Sequence, residues 1–324
     1  MKKFIFAMLA LLFVLGGCAE KGKSGQTNSN QSETNEKIEI THALGTETFD
    51  KVPERIVVLE WNFAEELLAL GVQPVGMADI EGFNKWVKIS ESIADDVVDV
   101  GTRQEPNLEE IAKLNPDVII TLSSNHGAIQ DQLTKIAPTI FYDTVSPEVT
   151  KDLYQNTFDS FKTTAKLLGK EAEAEQLIQR LDEKYAEAAK KIDELNLPTR
   201  EFLFTQAYTV NQAPTFRLFT KNSMVSHVLE KVGLENVIKD NTDAPWGFID
   251  ANVEGVSNYE DALFIHAVQQ DDPLFDNLQN NKAWNELAFV KNEQLYDIGG
   301  DTWTFGGVLS METLVDNLLR ALQK

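Results

Sequence analysis

Apolar and polar positions fall into periodic blocks along the chain, and the most regular block runs from Asp152 to Lys170. There Tyr154, Phe158, Phe161, Ala165 and Leu168 recur at alternating spacings of four and three, the period of one helical face. Gly169 is a natural stop, and no proline interrupts the stretch. A helix of about nineteen residues is roughly 28 Å long, enough to run as a strut between two lobes and too short to be a lobe itself. The pattern on either side predicts an α/β protein of two lobes, residues 38–150 and 171–324. Parallel-rich sheets flanked by helices build each lobe, a single long rigid helix over 151–170 joins them, and the functional cleft lies between.

In the first half, Arg55 to Glu60 is a short apolar run after Pro53, as in a buried parallel strand. Phe63 to Leu70 reads as a helix with Phe63, Leu67, Leu68 and Leu70 inward, stopped by Gly71. Val72–Met77, Val97–Val100 and Pro116–Thr121 read as further strands. Asn107 is placed to cap a helix whose Glu110 returns the bond in a capping box, which leaves Glu109 without a structural task. Strands alternating with helices imply a parallel sheet with ligands at the carboxyl ends of its strands. The loops expected there carry Trp61 and Asn62, then Arg103, then Ser123 to His126. Arg103 stands just before a helix whose amino end also favours anions; it reads either as an anion contact or as a surface partner of Glu105 or Asp99. His126 reads either as a ligand contact or as a polar loop residue.

In the second half, Glu171–Leu195 is an amphipathic helix with Ala174, Leu177, Leu181, Tyr185, Ala188, Ile192 and Leu195 on one stripe. Glu201–Thr205 and Phe216–Phe219 read as strands, Asn222–Lys231 as a helix closed near Gly233, and Met311–Leu322 as a closing helix. Asn211–Thr215 reads as a loop that brings Tyr208 and Arg217 near the cleft. The halves echo each other: Asn107 to Ile120 has a counterpart of equal length in Asn252 to Ile265, each an Asn cap, an aliphatic residue, a Glu, a helical turn and a buried strand. Glu109 and Glu254 then occupy equivalent helix starts. A carboxylate pair so placed either fits two basic patches on a two-fold partner or only complements the helix dipoles. Trp246 and Trp303 lie in glycine-bearing loops, each either a lid over core or a flat wall for a ligand.

Composition narrows the partners. A formal charge of −22 over 324 residues argues against nucleic acid. Only six arginines are present, Arg55, Arg103, Arg180, Arg200, Arg217 and Arg320, so one in a cleft stands out. Residues 1–17 have the form of a targeting segment: Lys2 and Lys3, then an apolar run from Phe4 to Leu15 too short to span a bilayer comfortably. Leu15-Gly16-Gly17-Cys18 looks like a bacterial lipobox with Cys18 as the lipid acceptor, and the polar stretch 18–37 reads as a flexible tether. The mature chain is therefore expected to be anchored by lipid to the outer face of the cell membrane, without disulfides.

Five segments carry a family resemblance: Arg55-Ile-Val-Val-Leu-Glu-Trp with Leu67-Leu-Ala-Leu-Gly-Val-Gln-Pro-Val-Gly76, Val100-Gly-Thr-Arg-Gln-Glu-Pro-Asn-Leu-Glu109, Ile136-Ala-Pro-Thr-Ile140 and Trp303-Thr-Phe-Gly-Gly-Val-Leu-Ser310. With them the chain resembles the substrate-binding lipoproteins of bacterial importers for ferric siderophores, nearest the hydroxamate and citrate-hydroxamate binders. The resemblance implies a monomer that binds a ferric siderophore and no enzymatic cofactor, with the iron held by the siderophore and not by the protein. It implies that Arg103 contacts chelate oxygens and that Trp246 and Trp303 line the second-lobe side of the cleft. Arg217 sits on a strand where several members place a cleft residue, and Trp61, Tyr208, Asn125, His126 and Phe305 complete the candidate ligand set. Glu109 and Glu254 match the glutamates that dock on arginines of the membrane permease dimer. Where hydroxamate binders carry a tyrosine after the fourth strand, this chain has Asn125-His126, a departure that resembles ferric-citrate binders.

The chemistry agrees with that resemblance. Ferric iron wants hard oxygen ligands, which a siderophore already supplies. The protein then needs a few cations for the oxygen-rich shell and aromatic walls for the organic backbone. The alternatives are a binder of ferric dicitrate, haem or cobalamin on the same fold, and an extracellular α/β hydrolase. Against the hydrolase, the chain lacks Gly-x-Ser-x-Gly, His-Glu-x-x-His and a phosphate-cradling glycine loop, and His42, His227 and His266 are scattered.

Overall fold

Buried, β-branched triplets and quintets set the first sheet. A computed structural model describes residues 37–239 and 244–323; residues 1–36, with Cys18 and nearly all of the expected tether, lie outside them. The chain enters through a hairpin of β1 (Ile38–His42) and β2 (Gly45–Phe49). There follow β3 (Ile56–Val58), α1 (Trp61–Ala69), β4 (Gly76–Met77), α2 (Ile80–Trp86), β5 (Val98–Asp99) and α3 (Leu108–Lys113). Then come β6 (Val118–Leu122), the single turns α4 (Ser123–His126) and α5 (Gln130–Leu133), and β7 (Thr139–Tyr142). The strands pair in the order β5-β4-β3-β6-β7, all parallel.

Helix α6 (Leu153–Leu168) leads out of this lobe, and α7 (Glu171–Glu194) follows it. The second lobe holds β8 (Glu201–Val210), β9 (Ala213–Phe219), α8 (Met224–Lys231), β10 (Glu235–Asn236), β11 (Phe248–Ala251), α9 (Val253–Val256) and β12 (Leu263–Ala267). It closes with the short helices α10 (Leu274–Leu278), α11 (Lys282–Asn285) and α12 (Ala288–Lys291), then β13 (Leu295–Asp297) and α13 (Val308–Leu322). The sheet order is β11-β9-β8-β12-β13, with β10 beside the start of β8. Strands β8, β12 and β13 run parallel, and β9 and β11 antiparallel to their neighbours. The two lobes thus agree with the architecture read from the pattern.

Alternate residues of each central strand serve different cores. Ile56 and Val58 with Phe202, Phe204, Leu263 and Ile265 belong to one continuous core that spans both lobes, while Val57, Leu59, Ile119 and Phe141 pack on the far face of the first sheet. The expected stripe of α6, Tyr154, Phe158, Phe161, Ala165 and Leu168, lies in the shared core. At 16 residues α6 is about 24 Å long. Asp152 caps it by accepting from Gln155 N at 2.8 Å, and Gly169 ends it at φ 64°, a conformation glycine adopts without cost.

Several local expectations are corrected. Trp61 and Asn62 lie in the first turn of α1 and Asn125 and His126 in α4, where loops were expected. Asn211–Thr215 is no cleft loop: Asn211 and Gln212, at φ 49° and 68°, form a two-residue turn of the left-handed kind that matches strand twist, and β9 starts at Ala213. The capping box is only half present. Asn107 accepts from Glu109 N and Glu110 N at 3.1 and 3.2 Å, whereas Glu110 turns to Lys113 Nζ at 2.6 Å, an ion pair that wins over the return bond.

Candidate functional site

The carboxyl ends of the first sheet and the end of β9 face one another across a cavity of about 340 Å³, walled along one side by Asn156, Thr157 and Ser160 of α6. A second cavity, of about 620 Å³, adjoins it and shares Trp61, Arg103, Arg217 and Trp303. Those four residues form a partition within one groove. Trp61 and Trp303 meet edge to face with centroids 5.0 Å apart, one from each lobe. The Arg103 guanidinium carbon lies 4.3 Å from the Trp61 ring centre and 5.9 Å from that of Trp303, within cation–π range of both. Trp61 is held by its Nε1–H, which donates to Asp79 O at 3.0 Å. The outer end of the groove is bridged by Lys85 to Asp271 at 3.0 Å and by Lys88 N–H to Asp301 O at 3.0 Å.

Beneath the partition sits Glu60, a residue the sequence reading passed over. It is 1% exposed, and its Oε2 accepts from Arg103 Nε and Nη2, both at 2.7 Å. Its Oε1 accepts from Asn125 Nδ2. Burial pushes its pKa up, while the charge and hydrogen bonds of Arg103 and the bond from Asn125 pull it back down. The signal in the sequence was an acidic residue directly after a buried strand, at the end where ligands gather.

Arg217 approaches from β9 on the other lobe. It stacks over Tyr208 and Phe248, 5.1 and 4.7 Å from their ring centres, and its Nη1 donates to Gln206 Oε1 at 3.0 Å. Phe305 packs beside Trp303 at 5.3 Å and near Phe219 at 5.7 Å, continuing the aromatic wall. Four buried polar atoms on the lining, Thr144 Oγ1, Arg217 Nε, Trp303 Nε1 and Thr304 Oγ1, have no partner among the described residues.

The structure therefore brings Arg103, Trp61, Trp246, Trp303, Arg217 and Phe305 together on the inner cavity and Tyr208 on the outer one. Trp246 remains 40% exposed, whereas Trp303 is 8% exposed, so Trp303 serves both as cavity wall and as core. Asn125 and His126 line neither cavity. Asn125 reaches the groove only through Glu60. His126 is buried behind β6, its Nδ1 2.5 Å from Thr121 Oγ1, and burial lowers its pKa. Glu109 and Glu254 are exposed in the first turns of α3 and α9, beneath the caps of Asn107 and Asn252. Among the described residues no group of three or more His, Cys, Asp or Glu is placed to hold a metal ion.

Two more carboxylates fasten the groove's framework from α1. Glu65 accepts from Ser310 N at 2.8 Å and Ser310 Oγ at 2.6 Å at the start of α13. Gly306 lies so close that a side chain there would collide with Glu65 and Ser310. Glu66 accepts from Ser160 Oγ and Thr164 Oγ1 of α6, both at 2.6 Å. Burial raises both, Glu66 to about 8 with the neighbouring Glu65 charge adding to the effect. One helix of the first lobe is thus tied to both the connecting helix and the last helix of the second.

With this geometry the likeness to known proteins is specific. Residues 56–302 match the family described as periplasmic binding protein. The chain is 36% identical over 317 residues to the Fe(3+)-citrate-binding protein YfmC of Bacillus subtilis, covering 97% of this chain and 94% of that protein. It is 27% identical to the Fe(3+) dicitrate-binding periplasmic protein FecB of Escherichia coli, over 85% of this chain and 87% of that one. Among solved structures it resembles the Desferal-bound siderophore-binding protein FhuD of Vibrio cholerae with a TM-score of 0.74 and 27% identity, covering 83% of this chain and 97% of that chain.

Proposed function

This chain belongs to the periplasmic binding protein family, and on that footing we propose that it captures a ferric chelate outside the cytoplasm and delivers it to the permease of an ABC importer. The observation that carries the proposal is the meeting of Arg103 and Arg217, one from each lobe, on a cavity walled by Trp61, Trp303 and Phe305. Arginine forks suit the outward oxygens of a chelate, and each charge-assisted contact contributes roughly 1.5–3 kcal/mol. Indole and phenyl faces cover the organic backbone. Iron is cargo here, liganded by its chelator. The unpartnered polar atoms of the lining support the same reading, since buried donors without acceptors are rare.

Three chelate classes fit: ferric hydroxamates, ferric citrate-hydroxamates and ferric citrate. The citrate reading is favoured by the resemblance: where hydroxamate binders carry a tyrosine after the fourth strand, this chain has Asn125-His126, as ferric-citrate binders do. The described part of the lining carries no histidine, so a haem iron would lack that axial ligand. The hydroxyls of Ser160 and Ser223 are spent on Glu66 and on the carbonyl of Thr220, and His227 turns its Nδ1 to the carbonyl of Ser223 and not to the hydroxyl, so neither serine is activated for hydrolysis. Titrating tryptophan fluorescence with ferric citrate, ferric hydroxamates, citrate-hydroxamates, catecholates and haem tests the proposal. Saturable quenching by one of the first three supports it, and a response to haem alone defeats it.

The anchoring and docking belong to the same proposal. Cys18 carries the lipid, placing a monomer on the outer face of the membrane, and Glu109 and Glu254 dock on basic patches of a permease dimer. Release of the Cys18→Ala chain into the medium is the expected result; continued membrane association would contradict the anchor.

A further inference from the structure

The positive charge of the groove is divided unequally. Among the described residues that line the inner cavity only Glu60, Arg103 and Arg217 are charged. Arg103 spends both Nε and Nη2 on Glu60. Arg217 has a neutral amide and two aromatic faces as partners, and its Nε has none among the described residues. In the outer cavity Lys85 is matched by Asp271, whereas Asp272, held by the neutral donors Thr209 N and Oγ1 at 3.0 and 2.6 Å, has no cation within ion-pair distance among the described residues, so the outer chamber adds no unmatched cation of its own. Among the described residues the first-lobe half of the inner cavity is therefore neutral, and its net cation is Arg217.

Glu60 is not there to cap a helix. It occupies the N-cap position of α1, yet its side chain makes no cap bond and turns inward to Arg103 and Asn125. A buried ion pair is poor value for stability, since an apolar or neutral pair of similar size usually does as well. What the carboxylate changes is the charge that a ligand meets.

We propose that Glu60 is a specificity-determining residue: by cancelling the charge of Arg103 it leaves Arg217 as the anion anchor and restrains the preference of the groove for heavily anionic chelates over uncharged ones. The inference rests on reading the cavity as a ferric-chelate site and deepens it. Arg103 remains a hydrogen-bond donor through its outward edge, and Glu60 acts by positioning and neutralising it.

The test is the ratio of two affinities, which a merely structural role would not move. Ferric citrate carries several negative charges near neutral pH, and a ferric trihydroxamate of neutral backbone carries none. In Glu60→Gln the side-chain carbonyl still accepts from Arg103, and Asn125 can turn its amide over to accept in its turn. At fixed pH and salt the ratio of the two dissociation constants is expected to move toward ferric citrate by about tenfold or more, the scale of one charge gained at short range in a partly buried site. Arg217→Gln removes the anchor without touching the buried pair, so the ratio is expected to move the opposite way. An unchanged ratio in Arg217→Gln, or in a folded Glu60→Gln, overturns the proposal. If the unaltered chain binds neither chelate, the reading of the cavity falls and this inference with it.

Discussion

Trp61 and Trp303 touch edge to face across the lobes, 5.0 Å between centroids, and so split one groove into two chambers. Trp61 opens the helix that follows a first-lobe strand, while Trp303 closes the loop before the last helix of the second lobe. A ligand that fills both chambers must part them or lie along them.

Replacing Trp303 separates its two tasks. Trp303→Ala removes a wall from the cavity and a buried indole from the core, so it should lower the stability of the free protein by about 3–5 kcal/mol. Trp303→Phe keeps an aromatic face and should cost far less stability. Both should weaken chelate binding by calorimetry, the alanine variant by tenfold or more. Full affinity in both variants would remove Trp303 from the site.

Arg103→Ala leaves Glu60 buried beside Asn125 alone. Binding should weaken at least tenfold, and the free protein should lose about 1–3 kcal/mol of stability for the stranded carboxylate. Adding Glu60→Gln should restore much of the melting temperature without restoring affinity. Recovery of neither property would show that Arg103 and Glu60 are not coupled as their geometry implies.

Glu66 should make folding sensitive to pH in an unusual direction. Its carboxyl, faced by Ser160, Thr164 and Glu65 and with Tyr142 beyond Thr164, is raised from the ordinary 4.5 to about 8 by burial. The folded chain then holds a proton that the unfolded chain gives up between those values. Its contribution is fully present below pH 4.5 and is lost as pH rises toward about 8, by at most about 1.4 kcal/mol per pH unit. Glu66→Gln should flatten that slope and gain on the parent as pH rises. Parallel stability curves for the two chains from pH 5 to 8 would contradict it.

Much of this fold was legible because its signals are periodic. The stripe of α6, the buried triplet of β3 and the buried run of five in β6 follow from their apolar pattern, and Gly71 and Gly169 mark helix ends by needing positive φ. The carboxylates were illegible for an equally physical reason. In an amphipathic helix with Phe63, Leu67 and Leu68 inward, Glu65 and Glu66 belong on the solvent face. They are buried because α13 and α6 cover that face and bring Ser310, Ser160 and Thr164 as donors from 94 to 245 residues away. His126 and Asn125 misled because a loop at a strand end looks cleft-facing, whereas α4 turns one behind the sheet and the other onto Glu60. Arg103 was legible as a scarce cation at a strand end, but its partner was not.

Glu109 and Glu254, at the starts of α3 and α9, are expected to act only in delivery. Converting both to alanine should leave chelate affinity unchanged and abolish iron uptake in cells that depend on this chain. Normal uptake by the double variant would refute docking through these two residues.

The most direct measurement is calorimetry on the full chain with three titrants: the intact ferric chelate, the iron-free chelator, and ferric iron kept soluble by a weak competing ligand. The expected result is one-to-one binding of the intact chelate at micromolar affinity or tighter, with much weaker binding of either component. Tight stoichiometric uptake of iron without the chelator would mean that the protein itself cages the metal, and would contradict a groove built of arginine and indole for iron already wrapped.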